Sequence, residues 1–118
     1  MNDTPDPEDP ENRAARRRRT LLTGKLVYGP VSMTQDCAIS DMSQTGARVR
    51  LEGAEPLVDP IYLIDVRHGL AFEAKVAWRR GRMAGLSFHQ YFDLRGGDPE
   101  APASVRRIWV EQTRQEFR

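Results

Sequence analysis

"LAFEAKVAWRRGRMAGLSF" (residues 70–88) is the stretch that decides the fold, because it carries the clearest strand pattern in the chain. Its first half alternates strictly, and such alternation puts every second side chain on the same face of an extended segment. We predict that the inward face consists of Leu70, Phe72, Ala74, Val76 and Trp78. The "RRGR" around Gly81 predicts a tight hairpin, and "MAGLSF" then returns as the partner strand.

Four more strands are predicted upstream of this hairpin. They are "LLTGKLVYG" (21–29), with Gly24 as a candidate bulge, "TQDCAIS" (34–40), "ARVRLE" (47–52) and "PIYLIDVR" (60–67). In the third of them the alternation directs one set of side chains inward and the other into solvent. The inward set is Ala47, Val49 and Leu51, and the outward set is Arg48, Arg50 and Glu52.

A helix is predicted at the C-terminal end, over "SVRRIWVEQTRQEF" (104–117). Ser104 is the candidate N-cap, and Val105, Ile108 and Trp109 form one apolar stripe. Six short strands separated by regular turn signals favour an all-β fold, a closed or nearly closed antiparallel barrel. We expect the helix to cover one opening or an edge of that barrel.

Charge divides the N-terminal part of the chain into two opposed blocks. Residues 1–12 are proline-rich and acidic, with Asp3, Asp6, Glu8, Asp9 and Glu11, and we predict that this head is disordered. Residues 13–20 form an arginine-rich arm with Arg13, Arg16, Arg17, Arg18 and Arg19. Neighbouring cations repel one another unless an anion lies between them, so the arm predicts an anionic ligand.

The barrel and helix are predicted to occupy residues 21–118. A chain of 118 residues has a length that suits one such domain.

Several classes of function are disfavoured by what the sequence contains. Cys37 is the only cysteine, so it cannot form an internal disulfide, and it shares no ligand spacing with His68 or His89. We therefore expect no metal and no cofactor. No apolar run is long enough to span a bilayer and the N-terminus does not resemble a signal peptide, so we predict a cytoplasmic protein. An enzyme is not expected, because no nucleophile–base pair or phosphate-binding loop is present.

The segment "SDMSQTGARVRL" (40–51) carries the most specific group of polar residues. Asp41 and Ser43 are two residues apart, so in an extended segment they project from the same side. Gly46 follows, where a glycine permits a positive-φ turn or the close approach of a ligand to the backbone. The alternative is that Asp41 and Ser43 only stabilise a local Asx or ST turn.

Together, "RAARR" (13–17, an RxxxR) and "DMSQTG" (41–46, a DxSxxG) resemble the signature of the PilZ domain family. The resemblance extends over the successive strands from Arg13 to Phe88. It implies a six-stranded barrel that binds the bacterial second messenger cyclic di-GMP. By the family pattern Arg13 and Arg17 are the motif arginines, with Arg16 and Arg18 as additional candidates.

The resemblance also implies roles for the remaining site residues. Arginine forks match the phosphate oxygens and the O6/N7 edge of guanine, whereas a carboxylate such as Asp41 accepts from the guanine N1–H. Ser43 and Gly46 complete the motif, and Trp78 lies where some members stack an aromatic ring on the purine. Core packing is the alternative role for Trp78.

Three hypotheses for the function follow. The first is a stand-alone receptor whose arm reorders around the ligand and presents a new surface to an unidentified protein partner. The second is a degenerate interaction barrel that binds no ligand, since Ala14 stands where family members often have a second arginine. The third, a nucleic-acid-binding barrel with a basic arm, is disfavoured because the sheet lacks exposed aromatic residues for stacking. Arg79, Arg80 and Arg82 are interpreted as solvated charges at a hairpin tip.

Overall fold

The computed structural model describes the backbone of residues 18–116 and the side chains of residues 22–115. The predictions for the acidic head and for Arg13, Arg16 and Arg17 therefore lie outside the described residues. The strands are β1 (Arg18–Tyr28), β2 (Met33–Met42), β3 (Gly46–Leu51), β4 (Ile61–Asp65), β5 (Leu70–Arg80) and β6 (Met83–Asp93), and the helix is α1 (Ala103–Glu116).

The six strands form a closed antiparallel barrel in the order β1-β2-β3-β6-β5-β4. The barrel closes where β4 pairs with β1, from Gly24 opposite Asp65 to Tyr28 opposite Ile61. The predicted architecture is confirmed. Closure leaves no strand of this sheet with an unpaired edge, which removes the main route by which β-sheets aggregate.

The interior of the barrel is filled by one side of every strand. Val49 and Leu51 of β3 are buried and Ala47 packs against the same cluster, so the predicted inward face of this strand is confirmed. Burying an aliphatic side chain of this size contributes roughly 1.5–3 kcal/mol. The fully buried members of the cluster are Leu26, Ile39, Val49 and Leu63, and Ala84 joins them from β6.

The inward face predicted for β5 is wrong at its far end. Val76 is 37% exposed and Trp78 is 42% exposed. The register of β5 against β6 shifts there: Val76 lies opposite Leu86 and Trp78 opposite Gly85, so Ala77 is an extra residue. A bulge of this kind interrupts the two-residue alternation, and the side chain beyond it leaves the core face. Trp78 is therefore at the surface rather than in the core. With Tyr91 of β6 also exposed, the expectation that the sheet lacks exposed aromatic residues is wrong.

The bulge predicted at Gly24 is also misplaced. Gly24 pairs regularly with Cys37 on one side and Asp65 on the other, whereas the irregularity in β1 lies between Arg19 and Leu22. Gly24 is instead required by packing, because a Cβ there would lie 2.9 Å from the Cys37 sulfur. In addition, β1 begins at Arg18, so the last three residues of the predicted arm belong to the barrel.

The helix packs against the outer wall of the barrel, not over an opening or an edge as predicted. A second apolar cluster forms there from residues on the outward faces of four strands, namely Val27, Ile64, Ala71 and Phe92. Val105 of α1 is buried against them, and Ile108 and Trp109 pack beside it, so the predicted apolar stripe is confirmed. A closed barrel has no edge to cover, and this apolar patch on the wall provides the helix with its packing surface.

Polar contacts also link α1 to the rest of the chain. The Trp109 indole N–H donates to the Val66 carbonyl at 3.0 Å. At the other end α1 begins at Ala103, and the Arg106 N–H donates to the Pro102 carbonyl at 3.1 Å. Ser104 therefore lies inside the first turn and is not the N-cap; its hydroxyl is 3.3 Å from that of Ser32. Within residues 18–116, α1 is not the long apolar helix that crossing a membrane would require.

Burial of Cys37 inside the barrel leads to a prediction about its reactivity. Desolvation, reinforced by the nearby Asp36 carboxylate, raises the pKa of the Cys37 thiol from 9.0 to about 12. At about pH 8 the folded protein should then hold almost no thiolate, which is the nucleophilic form. We expect alkylation by iodoacetamide to be at least tenfold slower in buffer than in urea, as measured by mass spectrometry. Equal labelling rates in the two solvents would contradict this packing of Cys37.

The same shift gives a direction for the dependence of stability on pH. Below pH 9 the thiol is protonated in both the folded and the unfolded chain. As the pH rises from 9.0 towards about 12, only the unfolded chain ionises at Cys37, so the free energy of unfolding should fall across that interval. Cys37→Ala removes this contribution and provides the control in a urea titration at several pH values.

Candidate functional site

The DxSxxG segment forms the tight turn between β2 and β3. The Ser43 N–H donates to the Gly46 carbonyl at 2.9 Å, and the Thr45 N–H donates to the Ser43 hydroxyl at 3.2 Å. Ser43 therefore makes the local ST turn that was the alternative interpretation of this motif. The Ser43 and Thr45 hydroxyl oxygens are themselves 3.2 Å apart and lie at the surface.

Gly46 is needed because another part of the chain approaches its backbone closely. The approaching group belongs to the protein itself and not to a ligand. Its φ is not among the positive values found in the described chain, so the positive-φ explanation is wrong. A Cβ at Gly46 would lie 2.3 Å from the carbonyl oxygen of Leu86 on β6. Glycine thus allows β3 to pair closely with β6 directly after the turn.

The turn places Asp41 opposite Arg48, and the two side chains form an ion pair. The Asp41 side chain is only 5% exposed, whereas that of Arg48 is 39% exposed. The predicted solvent-facing orientation of Arg48 is confirmed, but its partnership with Asp41 was not anticipated. The signal was present in the sequence, since a hairpin closed by Ser43 and Gly46 necessarily puts residues 41 and 48 in register.

A surface cavity of about 300 Å³ lies beside this turn. It is bordered by the turn itself, by the start of β3 and by the neighbouring segments of β6 and β5. The lining residues are Ser43, Thr45, Gly46, Ala47, Arg48, Ala77, Trp78, Gly85 and Leu86. Three of the sequence-predicted site residues, Ser43, Gly46 and Trp78, thus meet at one place, although they come from two distant parts of the chain.

The position of the Trp78 ring depends on Gly85. Arg48, Gly85 and Trp78 lie side by side across β3, β6 and β5. A Cβ at Gly85 would lie 2.1 Å from the Trp78 indole nitrogen, so the ring rests directly on the glycine backbone. Because no side chain separates them, the aromatic ring and the arginine form two sides of the cavity. Gly85 had not been recognised as a site residue from the sequence.

The first strand begins beside the same turn. The backbone of Arg18 pairs with Met42, and that of Arg19 pairs with Asp41. Residues preceding Arg18 are thus attached to the barrel next to the motif turn. Asp41 itself is not among the lining residues and reaches the cavity through Arg48.

The arginines of the β5–β6 hairpin differ from the prediction in one case. Arg80 and Arg82 are exposed, as predicted. Arg79 instead donates to three backbone carbonyls, those of Gly81 at 2.8 Å, Glu55 at 3.1 Å and Gly53 at 3.3 Å. It holds the segment after β3 against the hairpin, a role that becomes visible only when the two segments are adjacent.

His68 has an ordinary structural role. His68 lies 2.8 Å through its Nδ1 from the buried carboxylate of Asp65, at the turn between β4 and β5. Among the side chains described, those of residues 22–115, no three from His, Cys, Asp or Glu come together in a way that could hold a metal ion.

Substitution of Gly46 tests the geometry of the turn. In Gly46→Ala the new methyl group would meet the backbone oxygen of Leu86, which cannot move without disturbing β6. We expect the variant to lose about 1–3 kcal/mol of unfolding free energy in urea denaturation. Gly53→Ala is the matched control, since its Cβ would meet only the side chain of Glu55, and we expect a change within about 0.5 kcal/mol. Equal losses in both variants would contradict this account of Gly46.

Comparison with known families identifies one match. The model of the PilZ domain matches residues 11–108 of the chain. No curated protein sequence matches it significantly.

Proposed function

Because the chain belongs to the PilZ domain family, whose members are receptors for cyclic di-GMP, we propose that it binds this dinucleotide beside the turn Ser43–Gly46. The observation that carries the proposal is the meeting of the motif turn, Arg48 and Trp78 around one cavity. The arginine-rich arm precedes β1, whose first residue, Arg18, pairs with Met42 beside the motif turn. The site therefore combines an aromatic surface, hydrogen-bonding groups and nearby positive charge.

The size of the cavity supports a ligand that is bound in part by the barrel and in part by the arm. Pockets that enclose whole ligands typically measure about 300–1,000 Å³. At about 300 Å³ this cavity is at the lower end, which suits one guanine base rather than the entire dinucleotide. The exposed ring of Trp78 offers a stacking surface, and base–aromatic stacking contributes about 1–3 kcal/mol per base.

The remaining groups of the ligand are two phosphodiesters, and the arm supplies their partners. Arg13 and Arg17 of the RxxxR motif, with Arg16 and Arg18, carry guanidinium forks that match phosphate oxygens. Arg17 directly precedes the first strand residue, which pairs with Met42 at the motif turn. The arm is thus covalently attached beside the site that its charge would serve. Part of the entropy cost of bringing these arginines to the ligand is therefore met before the ligand binds.

Ligand binding by the arm provides a mechanism for signalling. Fixing the backbone of one residue of the arm costs about 1–2 kcal/mol in conformational entropy. Each hydrogen bond to a charged group stabilises the bound state by roughly 1.5–3 kcal/mol. Several such bonds suffice to order a short arm around the dinucleotide. The ordered arm then offers a new surface to a protein partner, and the role of the domain is that of a receptor rather than an enzyme.

Calorimetric titration with cyclic di-GMP tests the proposal. We expect the wild-type chain to bind at low salt, and Arg17→Ala and Asp41→Ala to weaken binding by at least about tenfold, since each removes a charged hydrogen-bonding group. Arg80→Ala is the control, because Arg80 is exposed at the hairpin tip and does not line the cavity. A wild-type dissociation constant above about 100 µM at low salt would contradict the proposal and favour the interaction-only barrel.

The acidic head provides a second test, based on charge. Its five carboxylates adjoin five arginines in the sequence and can compete with the ligand for them. Deletion of residues 2–11 should therefore tighten cyclic di-GMP binding at low salt. The gain should shrink at high salt, because screening weakens the competing attraction. Unchanged affinity at low salt would contradict the competition.

A further inference from the structure

We propose that Arg48, which belongs to neither sequence motif, is the residue that contacts guanine, and that Asp41 acts through it as a positioning residue. This inference rests on the proposed function, because it concerns the base specificity of the same site. It assigns the selectivity for guanine to a residue that sequence reasoning placed among solvent-facing arginines.

The contrast between the two partners of the ion pair is the first observation. Arg48 lines the cavity and Asp41 does not. The Asp41 side chain is 5% exposed and accepts from the Arg48 guanidinium, which is 39% exposed. A ligand in the cavity therefore meets Arg48, while the carboxylate lies behind it. A buried carboxylate that holds a guanidinium fixes the rotamer of a long side chain that would otherwise be mobile.

Electrostatics indicate which part of the dinucleotide Arg48 recognises. Its charge is already balanced by Asp41, so the pair is close to neutral and has little attraction for a phosphodiester anion. The guanidinium has five N–H donors, and those not used by Asp41 can donate to a neutral acceptor. A base edge fits such a pair better than a phosphate group does. The phosphates are left to the arginines of the arm.

The arrangement across the sheet gives the base a defined place. Arg48 and Trp78 are separated by Gly85, and neighbouring strands lie about 4.8 Å apart. The Trp78 ring itself lies on the Gly85 backbone, so a purine stacked on the exposed face of that ring would have Arg48 beside one of its edges. Gly85 allows the ring to lie this close to the sheet, since any side chain there would collide with the indole.

The choice between guanine and adenine then follows from hydrogen bonding. Guanine presents two acceptors, O6 and N7, which the arginine fork can bind together. Adenine presents an amino group in place of O6, and that donor would face the donors of Arg48. A site that is built around a donor fork rejects the base that offers it a second donor, because donors covered by the bound base would be left unpaired.

Titration of the full chain with cyclic di-GMP and cyclic di-AMP tests the inference. We expect Arg48→Ala to lose about tenfold or more in affinity for cyclic di-GMP and to change the affinity for cyclic di-AMP by less than about twofold. Arg50→Ala is the matched control: Arg50 follows two residues later on the same face of β3, is exposed and does not line the cavity. It should retain both affinities within about twofold.

A conservative variant separates recognition from folding. Arg48→Lys keeps a cation for Asp41 but lacks the planar fork, so it should fold like the wild type and still lose most of the preference for guanine. Thermal unfolding of each variant checks the fold. An Arg48→Lys protein that keeps the full preference for cyclic di-GMP would overturn the inference, even if Arg48→Ala failed to fold.

A double-mutant cycle tests the role assigned to Asp41. If Asp41 acts through Arg48, Asp41→Ala should weaken binding in the wild type but cost less than about twofold in the Arg48→Ala background. Additive losses would mean that Asp41 contacts the ligand directly and would overturn its assignment as a positioning residue.

The salt dependence of binding distinguishes a base contact from a phosphate contact. Arg48→Ala should leave the slope of affinity against salt concentration unchanged, whereas Arg17→Ala should reduce it. A reduced slope for Arg48→Ala, with equal losses for both dinucleotides, would show a phosphate contact and overturn the inference.

If the wild type bound no cyclic di-GMP, the proposed function itself would fail. If the wild type bound it and the Arg48→Ala variant bound it equally well, only the inference would fail.

Discussion

The hydrogen bonds between β1 and β4 close the sheet, and the rest of the molecule depends on that closure. Once the first and fourth strands pair, every strand has an inside and an outside, and a small set of aliphatic residues fills the interior. The outside is then divided between two uses. An apolar area of the wall binds α1, and the polar area across β3, β6 and β5 carries the candidate site. The helix and the site therefore do not compete for the same surface.

The candidate site is built by close approaches of backbone more than by large side chains. Gly46 lets β3 lie against Leu86, and Gly85 lets the Trp78 ring lie on β6. Neither glycine adds a side chain to the barrel wall where the cavity forms. The bulge at Ala77 directs Trp78 towards the surface. A site of this kind is held by the rigid barrel itself.

Hydrogen bonds through Val66 also connect β1 with the helix. The Val66 N–H donates to the Thr23 carbonyl at 3.3 Å, and the Val66 carbonyl accepts from the Trp109 indole. The arm continues directly into the strand that contains Thr23. Two hydrogen bonds through Val66 therefore link β1 to α1.

The sequence by itself determined the six strands, the antiparallel barrel and the helix with its apolar stripe, because alternation and helical periodicity are local properties of the chain. It also identified the DxSxxG turn and the family. What it missed depends on neighbours that are distant in the chain. Bulges at Ala77 and between Arg19 and Leu22 shift the alternation without any local signal, so Trp78 was placed on the wrong face.

Only the tertiary structure decided where the helix lies, what Arg79 binds and which residue faces the cavity. The pairing of Asp41 with Arg48 follows from the register of one hairpin, but the exposure of one partner and the burial of the other follow from packing around them. Burial is set by the whole barrel at once, since it depends on which strands become neighbours. That is the physical reason why the motif could be read from the sequence while the surface offered to a ligand could not.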